Sequence, residues 1–255
     1  MIAGFGRSLC LCAEPKGNMV SRRLKYAVLP YVRHALQAEN SSERRLVLDV
    51  GCGPGKLADF CSSLTAYDWY GLDLWEHELL QAKEIGSYKS VFQVNLLNGL
   101  PFRDNAFHVV VCKEVLMYLP NDRELFREFY RVLRPGGKVF IYNPIAWFPK
   151  TYAALKRLGR SVYQASDSVT LDTQSEWRTA TRPCRIAYLS FDSLMREIRE
   201  ANFEILDVTA FRLFRNRIRL MARLEDYDWY LNFTQKLAAR RPRLATDLMV
   251  VGRKV

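Results

Sequence analysis

No apolar run in the 255 residues approaches the roughly 18 that a membrane-spanning helix needs. The six cysteines, Cys10, Cys12, Cys52, Cys61, Cys112 and Cys184, contain no C-x-x-C pair, and the three histidines do not cluster with them. That pattern argues against a metal site and a disulfide framework and for reduced thiols in a cytoplasmic protein. The pair Cys10 and Cys12 leaves a lipidation or redox role open. A signal peptide is poorly served as well, because the apolar stretch from Met1 to Ala13 carries Arg7 in its middle. Acidic residues are the scarcer charge, 27 against 38 Lys and Arg, for a net charge of +11. An anionic partner suits that balance, whether nucleic acid, an acidic membrane surface or a phosphorylated substrate. Aromatic residues at 13% and apolar residues at 49% exclude a disordered chain.

What is present centres on Val47-Leu48-Asp49-Val50-Gly51-Cys52-Gly53-Pro54-Gly55. The aliphatic run reads as a buried parallel strand, and the alternate glycines turn the chain into a helix beginning near Lys56. Such a loop lets a ligand approach the backbone and meet the amides of the helix start. A phosphate-binding P-loop would need Ser or Thr after Gly55-Lys56, and Leu57 stands there. A dinucleotide fingerprint would need glycine at the position of Lys56. What remains is G-x-G-x-G, with an acidic residue, Asp73, closing the next strand 22 positions after Gly51. A carboxylate at that strand end can hold both hydroxyls of a ribose.

Further signatures follow in order: Leu100-Pro101-Phe102, Phe107-His108-Val109-Val110-Val111, and Val132-Leu133-Arg134-Pro135-Gly136-Gly137-Lys138. Over residues 44 to 143 the chain resembles the class I S-adenosylmethionine-dependent methyltransferases, in their small-molecule, "methyltransferase type 11"-like branch. The resemblance implies an α/β fold, a doubly wound seven-stranded Rossmann-like sheet of order 3-2-1-4-5-7-6 with strand 7 antiparallel and helices on both faces. It implies S-adenosylmethionine as cofactor, S-adenosylhomocysteine as product, and no metal. By the same resemblance Gly51, Cys52, Gly53 and Gly55 shape the methionine pocket and Asp49 lies near its amino group. Asp73 and Leu74 then meet the ribose side, Asn95 and Leu96 the adenine, and Lys113 closes the cofactor set. Asn95 replaces the usual Asp, yet its carbonyl oxygen can still accept from the adenine amino group. Trp75 either lies along the adenine or packs.

His108 stands where the family commonly has Asp, at the strand end away from the ligand crevice, which points to a structural role. Glu114 and Tyr118, just beyond the fourth strand, are the candidate catalytic residues, able to touch the acceptor or receive its proton. N-terminal to the loop, a helical stripe over residues 19 to 38 is expected to break at Pro30 into two short helices. Its Tyr26, Tyr31 and His34 are either acceptor contacts or packing residues. Asn121-Asp122-Arg123-Glu124 reads as a capping box. Ser190-Phe191-Asp192 starts another helix, and Phe203 to Val208 and Leu248 to Val251 form the last strands.

The expected organisation is an N-terminal helical cap over 1–43, a cofactor-binding core over 44–143, an acceptor-binding lid over 144–190 and a C-terminal completion of the sheet over 191–255. The lid carries Trp147, Phe148, Tyr152, Tyr163, Trp177 and Tyr188 among basic residues. Pro183-Cys184 lies too far downstream for the nucleophilic cysteine of enzymes that methylate cytosine carbon. Within the last segment a basic amphipathic helical insertion is expected over about 211–243. There Arg212, Arg215, Arg219 and Arg223 recur opposite Phe211, Phe214, Ile218 and Met221. Such a face can lie on an anionic membrane surface, grip a phosphorylated acceptor, or simply be solvated.

The function implied is methyl transfer to a small-molecule acceptor: a lipid, a glycan precursor or a secondary metabolite. Two alternatives stand beside it, an RNA methyltransferase and a non-catalytic cofactor-binding protein. Nucleic acid is the less favoured partner, since no Asn/Asp-Pro-Pro-aromatic motif follows the fourth strand and no RNA-binding module is appended. Oligomeric state is not legible.

Overall fold

The computed structural model describes residues 19–38, 43–119, 123–145, 171–172, 185–186, 189–212 and 227–255. Seven strands form one sheet: β1 (Arg45–Val50), β2 (Tyr67–Asp73), β3 (Ser90–Gln93), β4 (Phe107–Lys113), β5 (Leu133–Pro144), β6 (Phe203–Arg212) and β7 (Asp247–Lys254). Their spatial order is β3-β2-β1-β4-β5-β7-β6. The pairs among β1 to β5 are parallel, and β7 runs antiparallel to both β5 and β6. This is the doubly wound sheet the motifs imply. A separate two-residue ladder pairs Leu171–Asp172 with Arg185–Ile186.

Among the described residues six α-helices accompany the sheet: α1 (Met19–Gln37), α2 (Lys56–Phe60), α3 (Glu76–Ile85), α4 (Arg123–Val132), α5 (Phe191–Glu200) and α6 (Asp228–Arg240). Because strand side chains alternate, Leu48, Val50, Val110 and Ile141 face one way and Val47, Val109, Val111 and Phe140 the other. The first face is covered by Phe126 and Phe129 of α4 and by Leu194 and Ile198 of α5. Val28, Val32 and Leu36 of α1, with Leu57 and Ala58 of α2, cover the second. Phe126, Phe129 and Phe140 are wholly enclosed, and truncating any one to alanine costs about 3–5 kcal/mol.

The structure keeps α1 as a single helix with Pro30 inside it, against the expected break. Proline removes one backbone bond and costs about 3 kcal/mol in a helix interior. The buried row Val28, Leu29, Val32 and Leu36 on the sheet offsets that penalty. A second correction concerns the start of the expected basic helix. Phe211 and Arg212 continue β6 as strand, with Arg212 opposite Asp247. Phe211 is buried against Tyr142 and Tyr31, so its side chain is core.

A helix runs over Asp228–Arg240, while Arg215, Arg219, Arg223 and their neighbours lie outside the described residues. Also outside them are Cys10, Cys12, Cys184, Asn121 and Asp122 of the capping box, and the six aromatic residues of the expected lid. Ser190 does cap α5, its hydroxyl oxygen accepting from the Ser193 amide at 3.0 Å.

Candidate functional site

Parallel strands present their carboxyl ends, and the loops leaving them, on one edge of the sheet. β1, β2, β3 and β4 bring Gly51, Asp73, Asn95 and Glu114 to that edge, so the sequence candidates are gathered in one place. The loop after β1 is tied to the end of β2. Leu72 O accepts from the amides of Gly51 and Cys52 at 2.8 and 3.0 Å. Asp73 then holds both sides of the crevice: Oδ2 accepts from the Gly53 amide at 2.9 Å and Oδ1 from the Trp75 amide at 3.0 Å. Each carboxylate oxygen has a second lone pair that can face a diol.

Gly51 has φ +69°, and a Cβ placed on it would lie 2.2 Å from Val115 Cγ2. Both the backbone conformation and the contact demand glycine. At Gly53 a Cβ would meet nothing nearer than Glu78 Oε2 at 3.8 Å, so space stands open over the middle of the loop. The side chain of Cys52 points inward, toward Gly71, and burial pushes its thiol up out of the reactive range. Its part in the loop is therefore made by its backbone.

Asp49 is buried on the α2 face of β1 and accepts a hydrogen bond from the Tyr88 hydroxyl at 2.7 Å. Burial pushes its carboxyl up to about 6, opposed by the Tyr88 bond and the Lys113 charge and reinforced by Asp73. Tyr88 also lies against Gly55 and Gly71, where added Cβ atoms would stand 3.1 and 3.0 Å from its ring. Sequence reasoning missed Tyr88. It belongs to no motif, and the one available signal is an aromatic residue just ahead of β3.

Leu74 and Trp75 are exposed on the rim, and Leu74 O accepts from Gln93 Nε2 at 3.1 Å. Asn95 caps the short 3-10 turn Leu96–Asn98, its Oδ1 accepting from the Leu97 amide at 3.1 Å. Beside that turn a cavity of about 410 Å³ is lined by Leu96, Leu97, Gly99, Leu119, Leu125 and Arg127 among others. None of the glycine-loop residues lines it.

At the end of β4, Lys113 and Glu114 form an ion pair at 3.1 Å. Glu114 has φ +60°, a left-handed conformation uncommon for a residue with a side chain. Its amide donates to Tyr142 O at 2.7 Å. Tyr118 sits on the next short turn, Leu116–Tyr118, with its ring partly in solvent.

His108 is elsewhere. Its Nδ1 accepts from the Leu46 amide at 3.0 Å at the far end of the sheet, next to Arg134. Tyr31 packs α1 onto β6 through its hydroxyl bond to Asp207 and its edge contact with Phe211. The side chain of Tyr26 lies outside the described residues, and His34 is exposed on α1. The described residues contain no group of three or more His, Cys, Asp or Glu side chains placed to hold a metal ion.

Residues 48–141 match the family model described as a methyltransferase domain. A ubiquinone biosynthesis O-methyltransferase of Pseudomonas putida is 32% identical over 114 residues, 42% of this chain and 47% of the relative. Phosphoethanolamine N-methyltransferase 3 of Arabidopsis thaliana is 37% identical over 98 residues, 37% of this chain and 20% of the relative. The chain thus spans half or less of the length of these curated relatives. Among solved structures, a SAM-dependent methyltransferase of Methanosarcina mazei superposes with a TM-score of 0.58 at 17% identity, over 86% of this chain and 97% of the other. At that identity the likeness is one of fold.

Proposed function

With residues 48–141 matching the model of a methyltransferase domain, we propose that the chain is a class I S-adenosylmethionine-dependent methyltransferase that transfers a methyl group from S-adenosylmethionine to a small-molecule acceptor. The observation that carries this is the Asp73 carboxylate, held by the amides of Gly53 and Trp75 beside an open glycine loop. That arrangement suits a ribose next to a chain that runs over the loop. Acceptors with an O, N or C nucleophile fall within the reading, with lipids, glycan precursors and secondary metabolites as classes.

When bound, S-adenosylmethionine supplies an activated sulfonium methyl and leaves as S-adenosylhomocysteine once the carbon–sulfur bond has broken. The chain's own work is alignment, which can lower a barrier by several kcal/mol, up to about 11. Gly51, Cys52, Gly53 and Gly55 shape the methionine pocket by backbone, and Asp49 faces the amino group. Asp73 and Leu74 hold the ribose side, Asn95 and Leu96 the adenine edge, and Lys113 steadies Glu114. Glu114 or Tyr118 receives the acceptor's proton where the nucleophile carries one. The division of labour proposed along the chain is a cap over 1–43, the cofactor core over 44–143, a lid over 144–190 and sheet completion over 191–255.

The test is incubation with methyl-labelled S-adenosylmethionine and a cell extract, followed by fractionation. Label in a small-molecule fraction supports the proposal. Label in RNA or protein alone overturns its acceptor class, and loss of label with Asp73→Ala ties the transfer to this crevice.

A further inference from the structure

The second face of interest lies away from the crevice, on α6. In a helix, positions four apart drift by only about 40° around the axis. Trp229, Phe233 and Leu237 therefore form one stripe, and they are 62%, 59% and 38% exposed, with Tyr227 ahead of them at 56%. The adjoining flank of the helix, about 100° further round, is the buried one, where Tyr230, Thr234 and Ala238 pack inward toward β6. Large apolar side chains repeated at helical spacing on a solvent face mark an interaction surface.

Asp228 opens the helix, and from Trp229 onward its charged residues are all basic. Lys236 and Arg240 project within about 20° of Trp229 on the wheel, and both are exposed, as is Arg241. No acidic residue occurs from Trp229 to Thr246. Phe233 and Leu237 offer no hydrogen bond, so a polyanion in water would leave them wet. An anionic bilayer accepts both features together: rings and aliphatic chains enter the headgroup boundary while Lys and Arg reach back to phosphates.

We infer that α6 docks on an anionic lipid surface, with Trp229, Phe233 and Leu237 inserted and Lys236, Arg240 and Arg241 on the headgroups. The docking is independent of methyl transfer and is read without turnover.

The experiment is flotation of the full chain with vesicles of phosphatidylcholine, alone and with phosphatidylserine added. The parent chain should bind only the anionic vesicles. The double variant Trp229→Ser, Phe233→Ser should lose that binding while keeping its melting temperature and its S-adenosylmethionine binding. Lys236→Glu with Arg240→Glu should weaken partitioning by more than about tenfold. Tryptophan quenching by brominated phosphatidylserine should fall in Trp229→Phe. The inference is overturned if the parent chain ignores anionic vesicles, or if both double variants bind as it does. It is overturned too if the parent is a dimer that Trp229→Ser, Phe233→Ser splits, for then a second copy covers the stripe.

Discussion

Gly51 and Val115 meet so closely that a methyl group on the first would stand 2.2 Å from Cγ2 of the second. The contact joins the loop after β1 to the segment after β4 and so sets the relation between the proposed methionine pocket and Glu114. Gly51→Ala should strain the backbone at φ +69° and push the two segments apart. The expected result is a loss of roughly 1–3 kcal/mol in stability and of most cofactor affinity. Denaturant melts and calorimetry measure both. The double variant Gly51→Ala, Val115→Ala should recover part of the affinity by relieving the overlap.

Asp49 links the site to pH. Its carboxyl sits near 6 in the folded chain and near 3.9 when unfolded. The native state therefore binds more protons between about pH 4 and about pH 6. Its contribution to stability is present below the unfolded value and is lost as pH rises through the folded one, at most about 3 kcal/mol. Asp49→Asn should flatten that part of the stability profile. The proposed contact of a cofactor ammonium with Asp49 would favour the ionised form, so cofactor affinity should fall as pH drops below about 6. Tyr88→Phe removes the bond that opposes burial and should move that midpoint upward. An unmoved midpoint would separate Tyr88 from the binding step.

Asp73 accepts two backbone amides, so its replacement disturbs the loop as well as the proposed ribose contact. Asp73→Asn keeps one acceptor oxygen and should cost roughly 1.5–3 kcal/mol in cofactor binding. Asp73→Ala should abolish binding altogether. Affinity surviving in Asp73→Ala would remove the ribose assignment.

Glu114 combines a left-handed backbone with a side chain paired to Lys113. Glu114→Gly should leave stability unchanged or raise it by about 1 kcal/mol, because glycine adopts that conformation freely. Turnover should drop in both Glu114→Gly and Glu114→Gln if the carboxylate takes the proton. A melting temperature lowered by glycine would argue that the side-chain contact with Lys113 outweighs the strain.

His108→Ala should act on stability alone. Removing Nδ1 leaves the Leu46 amide without that acceptor at the base of the sheet, costing about 1–3 kcal/mol. The per-molecule rate of the folded fraction should match that of the parent chain.

The parallel sheet, its order and the carboxyl-end location of Gly51, Asp73, Asn95 and Glu114 were legible because glycine spacing, strand runs and turn residues are local signals. Ser190 at the start of α5 is another such local signal. Pro30 departs from its sequence expectation for a physical reason. A propensity rule knows only the lost backbone bond, whereas the helix is held by burial of Val28, Val32 and Leu36 against strands far along the chain. The spacing of Phe211 with Phe214 and Ile218 is helical, yet pairing of Arg212 with Asp247 extends β6 through it.

What the sequence determined by itself is the chemistry available at the crevice edge: which residues lack a side chain, which carry a carboxylate, and in what order they arrive. Tertiary structure alone decided what surrounds them. It set Tyr88 on Asp49, 39 residues away, and Val115 on Gly51. It also turned Trp229, Phe233 and Leu237 to solvent while burying Tyr230 and Ala238. Those outcomes depend on which segments the fold brings face to face, and local spacing encodes a helix's periodicity without saying which of its sides meets the core.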